Sequence, residues 1–165
     1  MASNARPPYG GTVYRGGSSG PDVALIQRWL NGARSRWPAI RPVTVDGKYG
    51  SATATAVKTF QRLEGIRDDG TVGPETWEHL YDVYATLHGE GEIWPGITME
   101  QGHHGSTVKS AQERLRNTVP TLSTDGAYGS KTRQAVTAYQ TVNALTADGL
   151  LGRTTWAHLY GQTER

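Results

Sequence analysis

The chain contains no cysteine, so neither disulfides nor thiolate metal sites stabilise it. Clustered charge is missing as well. Net charge is only +2 over 165 residues, and no run of Lys or Arg accompanies the pI of about 9.0. Such diffuse basicity is no footprint for nucleic acid. No stretch of about 18 apolar residues exists to span a bilayer, and the N-terminus lacks the apolar core of a signal peptide. Catalytic signatures are absent too: no Cys nucleophile, no His-Glu-x-x-His, no Gly-x-Ser-x-Gly elbow. The adjacent His103 and His104 fall short of the three or four convergent ligands of a metal site. The Asp-Gly turns lack the alternating acidic pattern and closing Glu of a calcium loop. The sequence therefore predicts no enzyme, no metal and no cofactor.

What the sequence does contain is itself, twice. The segment Asp46–Tyr81 returns as Asp125–Tyr160 at a constant offset of 79 residues, with 17 of 36 positions identical. Asp-Gly-x-Tyr-Gly-Ser, Ala-Val, Gln, a second Asp-Gly and Thr-Trp-x-His-Leu-Tyr all recur. An earlier portion repeats at an offset of 85, where Tyr9-Gly10-Gly11 matches Trp94-Pro95-Gly96 and Gly17 and Gly20 match Gly102 and Gly105. The expected organisation is a tail or tag remnant over 1–8, a first module over 9–88, a linker over 89–93 and a second module over 94–165. Modules this small bury little core, so each large apolar side chain counts.

Each module reads as three helices. The first runs from Pro21 to Asn31, with Gly20 at the N-cap and Pro21 at the first helical position; Val23, Ile26 and Leu30 share one face. The second starts with Ser51 or Ser130 as N-cap and buries Ala56, Val57 and Phe60, or Ala135, Val136 and Tyr139. It ends at Gly65-Ile66 or Ala144-Leu145. The third opens at Gly73-Pro74 and buries Trp77 and Leu80, repeated as Trp156 and Leu159. One buried Trp removes about 150–250 Å² from water, worth of order 4–6 kcal/mol before entropy. Strand signal is weak, at most a minor pairing of Thr12-Val13-Tyr14 with Thr44-Val45. The fold class is all-α, two tandem three-helix bundles joined by Asp-Gly turns.

In combination these motifs are specific. Val-x-x-Ile-Gln, Asp-Gly, Tyr-Gly, Ala-Val, aromatic-Gln, Asp-Gly and Thr-Trp resemble the small three-helix peptidoglycan-binding domain of bacteria, in two copies covering nearly the whole chain. The resemblance implies non-catalytic binding of cell-wall peptidoglycan, targeting a linked hydrolase such as an endolysin or cortex-lytic enzyme at the cell wall or spore cortex. It implies peptidoglycan, peptide stem and glycan, as partner. No nucleic acid or membrane partner is expected, and the chain is expected to be monomeric. The alternative is a structural or protein–protein module that keeps the fold without the ligand. The second copy departs at Tyr139, Ala144, Leu151 and Arg153, which makes ligand binding there less secure and closure of its second helix different.

Candidate ligand-binding residues are Arg34, Arg36, Trp37, Tyr49, Gln27, Tyr128 and Gln112. The first module carries six extra residues between Asn31 and Val45, and this loop brings Arg34, Arg36, Trp37 and Arg41 into the Asp46–Tyr49 turn. Guanidinium groups suit stem-peptide carboxylates, and an aromatic ring offers a flat contact. Trp37 and Ile40 are equally suited to sealing the bundle. Tyr49 and Tyr128 either pack or face a ligand. Gln27 and Gln112, like Gln61 and Gln140, either touch a peptide or satisfy loop backbone groups, the favoured reading for an amide beside a core. His79 and His158 lie off the core face, in a surface or Trp-edge role.

Overall fold

The computed structural model describes residues 7–161, and among these every regular element is a helix. In the first module α1 is Pro21–Ala33, α2 Ser51–Glu64 and α3 Pro74–His88; in the second α4 is Ser106–Leu115, α5 Ser130–Val142 and α6 Arg153–Leu159. Gly20 caps α1 with Pro21 behind it, and the helix runs two residues past the expected Asn31. Ser51 and Ser130 are not N-caps. Gly50 and Gly129 hold that position in extended conformation, without any side-chain cap. Their carbonyls already accept the first helical N–H groups, from Ala54 and Arg133, each at 3.0 Å. That places both serines inside the first turn.

The short extended pieces pair differently from expectation. Tyr14 bridges to Val72 and Ser19 to Lys48, and the second module repeats this as Met99 with Leu151 and His104 with Ala127. Thr44-Val45 is not Tyr14's partner. The bridges instead pin each module's opening segment to its two Asp-Gly turns.

Two apolar cores result. The first gathers Val23, Ile26, Leu30, Phe60, Trp77 and Leu80 with Trp29, whose ring meets Trp77 edge-on at 4.9 Å. The second, around Val108, Leu115, Val136 and Trp156, has Arg114 where the repeat places Trp29. Arg114 lies over the Tyr160 ring at 4.1 Å, and Tyr160 in turn stacks on Trp156 at 4.0 Å. A cation over stacked rings replaces an indole, and the second core is correspondingly smaller.

The glutamines hold the turns. Gln27 Oε1 accepts the Gly47 N–H at 2.9 Å, while its Nε2 donates to Asp46, to the Lys48 carbonyl and to Thr53 Oγ1. Gln61 does the same with Gly70, Asp69, Thr71 and Thr76. Gln112 serves Gly126, Asp125, Ala127 and Thr132, and Gln140 serves Gly149, Asp148, Leu150 and Thr155. One amide thus welds a helix to a turn whose glycine has φ of 73–78°, a backbone only glycine adopts freely. The device occurs four times.

The helix ends differ in residue but not in path. Gly65 closes α2 in the left-handed region, with Ile66 N–H donating to Gln61 O. After α5, Ala144 adopts φ 57°, and Leu145 N–H donates to Gln140 O. The expected difference in closure is therefore small: α5 ends one repeat position earlier, at Val142, and the left-handed residue is an alanine.

Candidate functional site

The anticipated ligand residues do not converge. Gln27 and Gln112 are 1% and 0% exposed, with the amide groups taken up by the turns as above. Tyr49 and Tyr128 are buried as well. Tyr49 donates its hydroxyl to Gly70 O at 2.6 Å and Tyr128 to Gly149 O at 2.8 Å, so each ring ties the first Asp-Gly turn of its module to the second. Burial pushes both phenols well above their ordinary pKa. The polar atoms of these four residues are already paired inside the fold.

The loop after α1 is folded back. Asn31 exchanges two hydrogen bonds with the Val43 backbone, Arg34 Nε donates to Ile40 O at 2.8 Å, and Ile40 is buried. Trp37 is half-buried against the first core, its indole N–H donating to Glu64 at 2.9 Å. Glu64 also pairs with His79 at 2.9 Å, so His79 holds the end of α2. His158 meets Tyr139 in the second module. Arg36 and Arg41 are exposed, and Arg41 borders an open groove of about 490 Å³ against Ser51, Thr55 and Thr59 of α2.

The densest polar structure lies at the junction of the modules, where sequence reasoning placed nothing. Asp22, in the first turn of α1, is 2% exposed. It accepts the backbone N–H groups of Ser106 at 2.8 Å and Thr107 at 2.9 Å, and also the Thr107 hydroxyl at 2.9 Å. The Tyr14 hydroxyl donates to the same carboxylate, and burial, reinforced by Asp22, raises the phenol far above its ordinary pKa. Asp22 thus sits between the N-termini of α1 and α4, where both helix dipoles favour a negative group.

The chain ahead of each module reaches the other. Pro8 O accepts from Ser106 Oγ of the second module at 2.6 Å, while Pro7 O stays on the first and accepts from the Trp77 indole at 2.9 Å. The tail expected over 1–8 is therefore packed at Pro7 and Pro8; residues 1–6 lie outside the described residues. In the opposite direction, Trp94 O accepts from Arg28 at 2.5 Å. A Cβ on Gly96 would stand 2.6 Å from Val45, and one on Gly47 would stand 2.9 Å from Ile97. Between Tyr9-Gly10-Thr12 and the Asp125-Gly126 turn an open cleft of about 330 Å³ remains, with Lys109 and His104 on its wall.

Helices, turns and bridges in duplicate define a tandem all-α module. The family model described as "Putative peptidoglycan binding domain" matches residues 19–80 and again 104–159. The chain belongs to this peptidoglycan-binding family, in two copies. It is 32% identical over 166 residues to N-acetylmuramoyl-L-alanine amidase CwlL of Bacillus licheniformis, a match covering 90% of this chain and 45% of the amidase. It is 31% identical over 97 residues to a spore cortex-lytic enzyme of Bacillus cereus, covering 59% of this chain and 35% of that enzyme. A solved SleB N-terminal domain matches at 29% identity over 46% of this chain and 97% of its own, with a TM-score of 0.40. The chain spans less than half the length of the curated relatives it matches here.

Proposed function

We propose that this chain is a non-catalytic peptidoglycan anchor that holds a linked cell-wall hydrolase on its insoluble substrate. The observation that carries the reading is the double family match, which falls on both repeats and takes up most of the residues. The amidase relative supports the division of labour, since its similarity to this chain occupies 45% of its length. On this reading the anchor acts at the cell wall or spore cortex. Arg36 and Arg41, exposed on the loop after α1, supply carboxylate contacts from the first module.

Incubating the chain with purified sacculi tests the division of labour. The expected outcome is retention of protein in the pellet with no release of reducing ends or free amino groups. Release of either at a rate that scales with protein concentration overturns the non-catalytic assignment.

A further inference from the structure

The two modules meet through equivalent faces, and the repeat shows what differs between them. Under the offset of 85, the strip Trp94–Ile97 that crosses onto the first module corresponds to Tyr9–Thr12, which crosses onto the second. Each strip lies over the same feature, an Asp-Gly turn beside the start of the module's first helix. On the first module Ile97 closes that place, its Cδ1 against Gly47. On the second module the corresponding residue is Thr12, exposed and shorter, and there the cleft of about 330 Å³ stays open. The helix position facing the strip changes in concert: Ala24 in α1 becomes Lys109 in α4. Ala24 is fully buried, whereas Lys109 is exposed and makes no ion pair among the described residues. Both faces carry the turn acid, Asp46 or Asp125; the first is stoppered, and the second is open and adds a lysine.

Both signs of charge stand in the open cleft. Lys109 contributes an ammonium and Asp125 a carboxylate, while half-buried Tyr9, edge-on to Trp77 at 6.0 Å, lines the same cleft. The Ala127 N–H and the Gln112 amide fix one oxygen of Asp125, and these hydrogen bonds hold its carboxyl below the usual range. A cleft at the lower end of ligand-site volumes, with opposite charges and one aromatic wall, suits a short zwitterionic segment rather than a neutral sugar.

We propose that the junction cleft between Thr12 and Lys109, built from both modules, is a ligand site of this chain distinct from the arginines of the loop after α1, and takes a stem-peptide end bearing both a carboxylate and a free amine. The assignment rests on the peptidoglycan reading above and names the site within it. Lys109 pairs with the carboxylate, Asp125 with the amine, and Tyr9 covers the aliphatic stretch between them. Neither module alone contains all three groups.

The test titrates the full chain by calorimetry with three soluble probes: a disaccharide carrying a tripeptide that ends in a diamino acid, the tripeptide alone, and the disaccharide alone. Both peptide-bearing probes are expected to bind and the bare disaccharide to bind at least tenfold more weakly. Thr12→Ile, which copies the plug of the first module, and Lys109→Ala are each expected to weaken the tripeptide about tenfold at unchanged Tm. Wild-type affinity in both variants, or equal binding of the bare disaccharide, overturns the site while retention on sacculi leaves the anchor function standing. A wild-type chain that neither binds these probes nor sediments with sacculi overturns both.

Discussion

Asp22 and Thr107 occupy the same position of the repeat, 85 residues apart, and are hydrogen-bonded to each other: Asp22 Oδ1 accepts both the amide and the hydroxyl of Thr107 at 2.9 Å. The repeat is symmetric, but this contact is not. Only the first copy carries the acid, so one side chain fills the space between two helix N-termini where two acids would repel. The modules are consequently clasped and not strung on a flexible linker.

Replacing that acid should uncouple them. Asp22→Ala leaves the Ser106 and Thr107 amides, the Thr107 hydroxyl and the Tyr14 hydroxyl without their acceptor. The expected cost is about 3 kcal/mol, since buried donors that lose their partner carry their full desolvation penalty. Urea unfolding should show one cooperative transition in the wild type and two in the variant.

Ala144 tests the strained helix end. Its φ of 57° costs roughly 1–2 kcal/mol for a residue with a Cβ, against about 0.5–1 kcal/mol of extra chain entropy for glycine. Ala144→Gly should therefore stabilise the second module by about 0.5–1 kcal/mol. Gly65→Ala should destabilise the first by a similar amount, and urea midpoints measure both.

The glutamine weld makes a prediction about folding. Gln112→Leu preserves volume but strands the Gly126 N–H and removes the amide donor to Ala127 O and Thr132 Oγ1. A loss of about 2–3 kcal/mol is expected.

Acid should act on stability with two opposite signs. Backbone N–H groups of Lys48, Thr71 and Ala127 hold Asp46, Asp69 and Asp125 below their ordinary pKa of 3.8. The folded pKa values are lowered, so this stabilisation is complete above the unfolded value and is lost as pH falls through the folded ones. Glu92 runs the other way: burial raises its pKa above 4.5, although Ser110 and Arg114 partly offset this. Its native state takes up the proton first, so stability is lost as pH rises through the raised value. Glu92→Gln, which keeps an acceptor for Ser110, should raise Tm at neutral pH and have little effect near pH 4; thermal melts across that range decide.

The helices were legible because they are local. Gly20-Pro21, Gly73-Pro74 and the Val23–Leu30 spacing each state a boundary or a face without help from the rest of the chain. The glutamines were legible in kind, since an amide beside an apolar stripe must find partners. Their targets, four Asp-Gly turns, lay in the same repeat. The loop reading failed at Tyr49, because adjacency in sequence to Arg34 and Arg36 does not say on which side of the turn a ring lies. Asp22 was missed for a different reason. An acid in a first helical turn already has a local explanation in its own dipole, and nothing nearby announces a second helix 84 residues on. The signal available was the mismatch between copies, Asp22 against Thr107 and Thr12 against Ile97.

Co-sedimentation with purified peptidoglycan sacculi, at low and moderate salt and with soluble muropeptide as competitor, tests the central claim most directly. Wild-type chain should move to the pellet at both salt levels and be displaced by muropeptide, because two modules on one polymer raise avidity through effective concentration. Chain that stays in the supernatant, or that leaves the pellet with salt but not with muropeptide, would contradict the account.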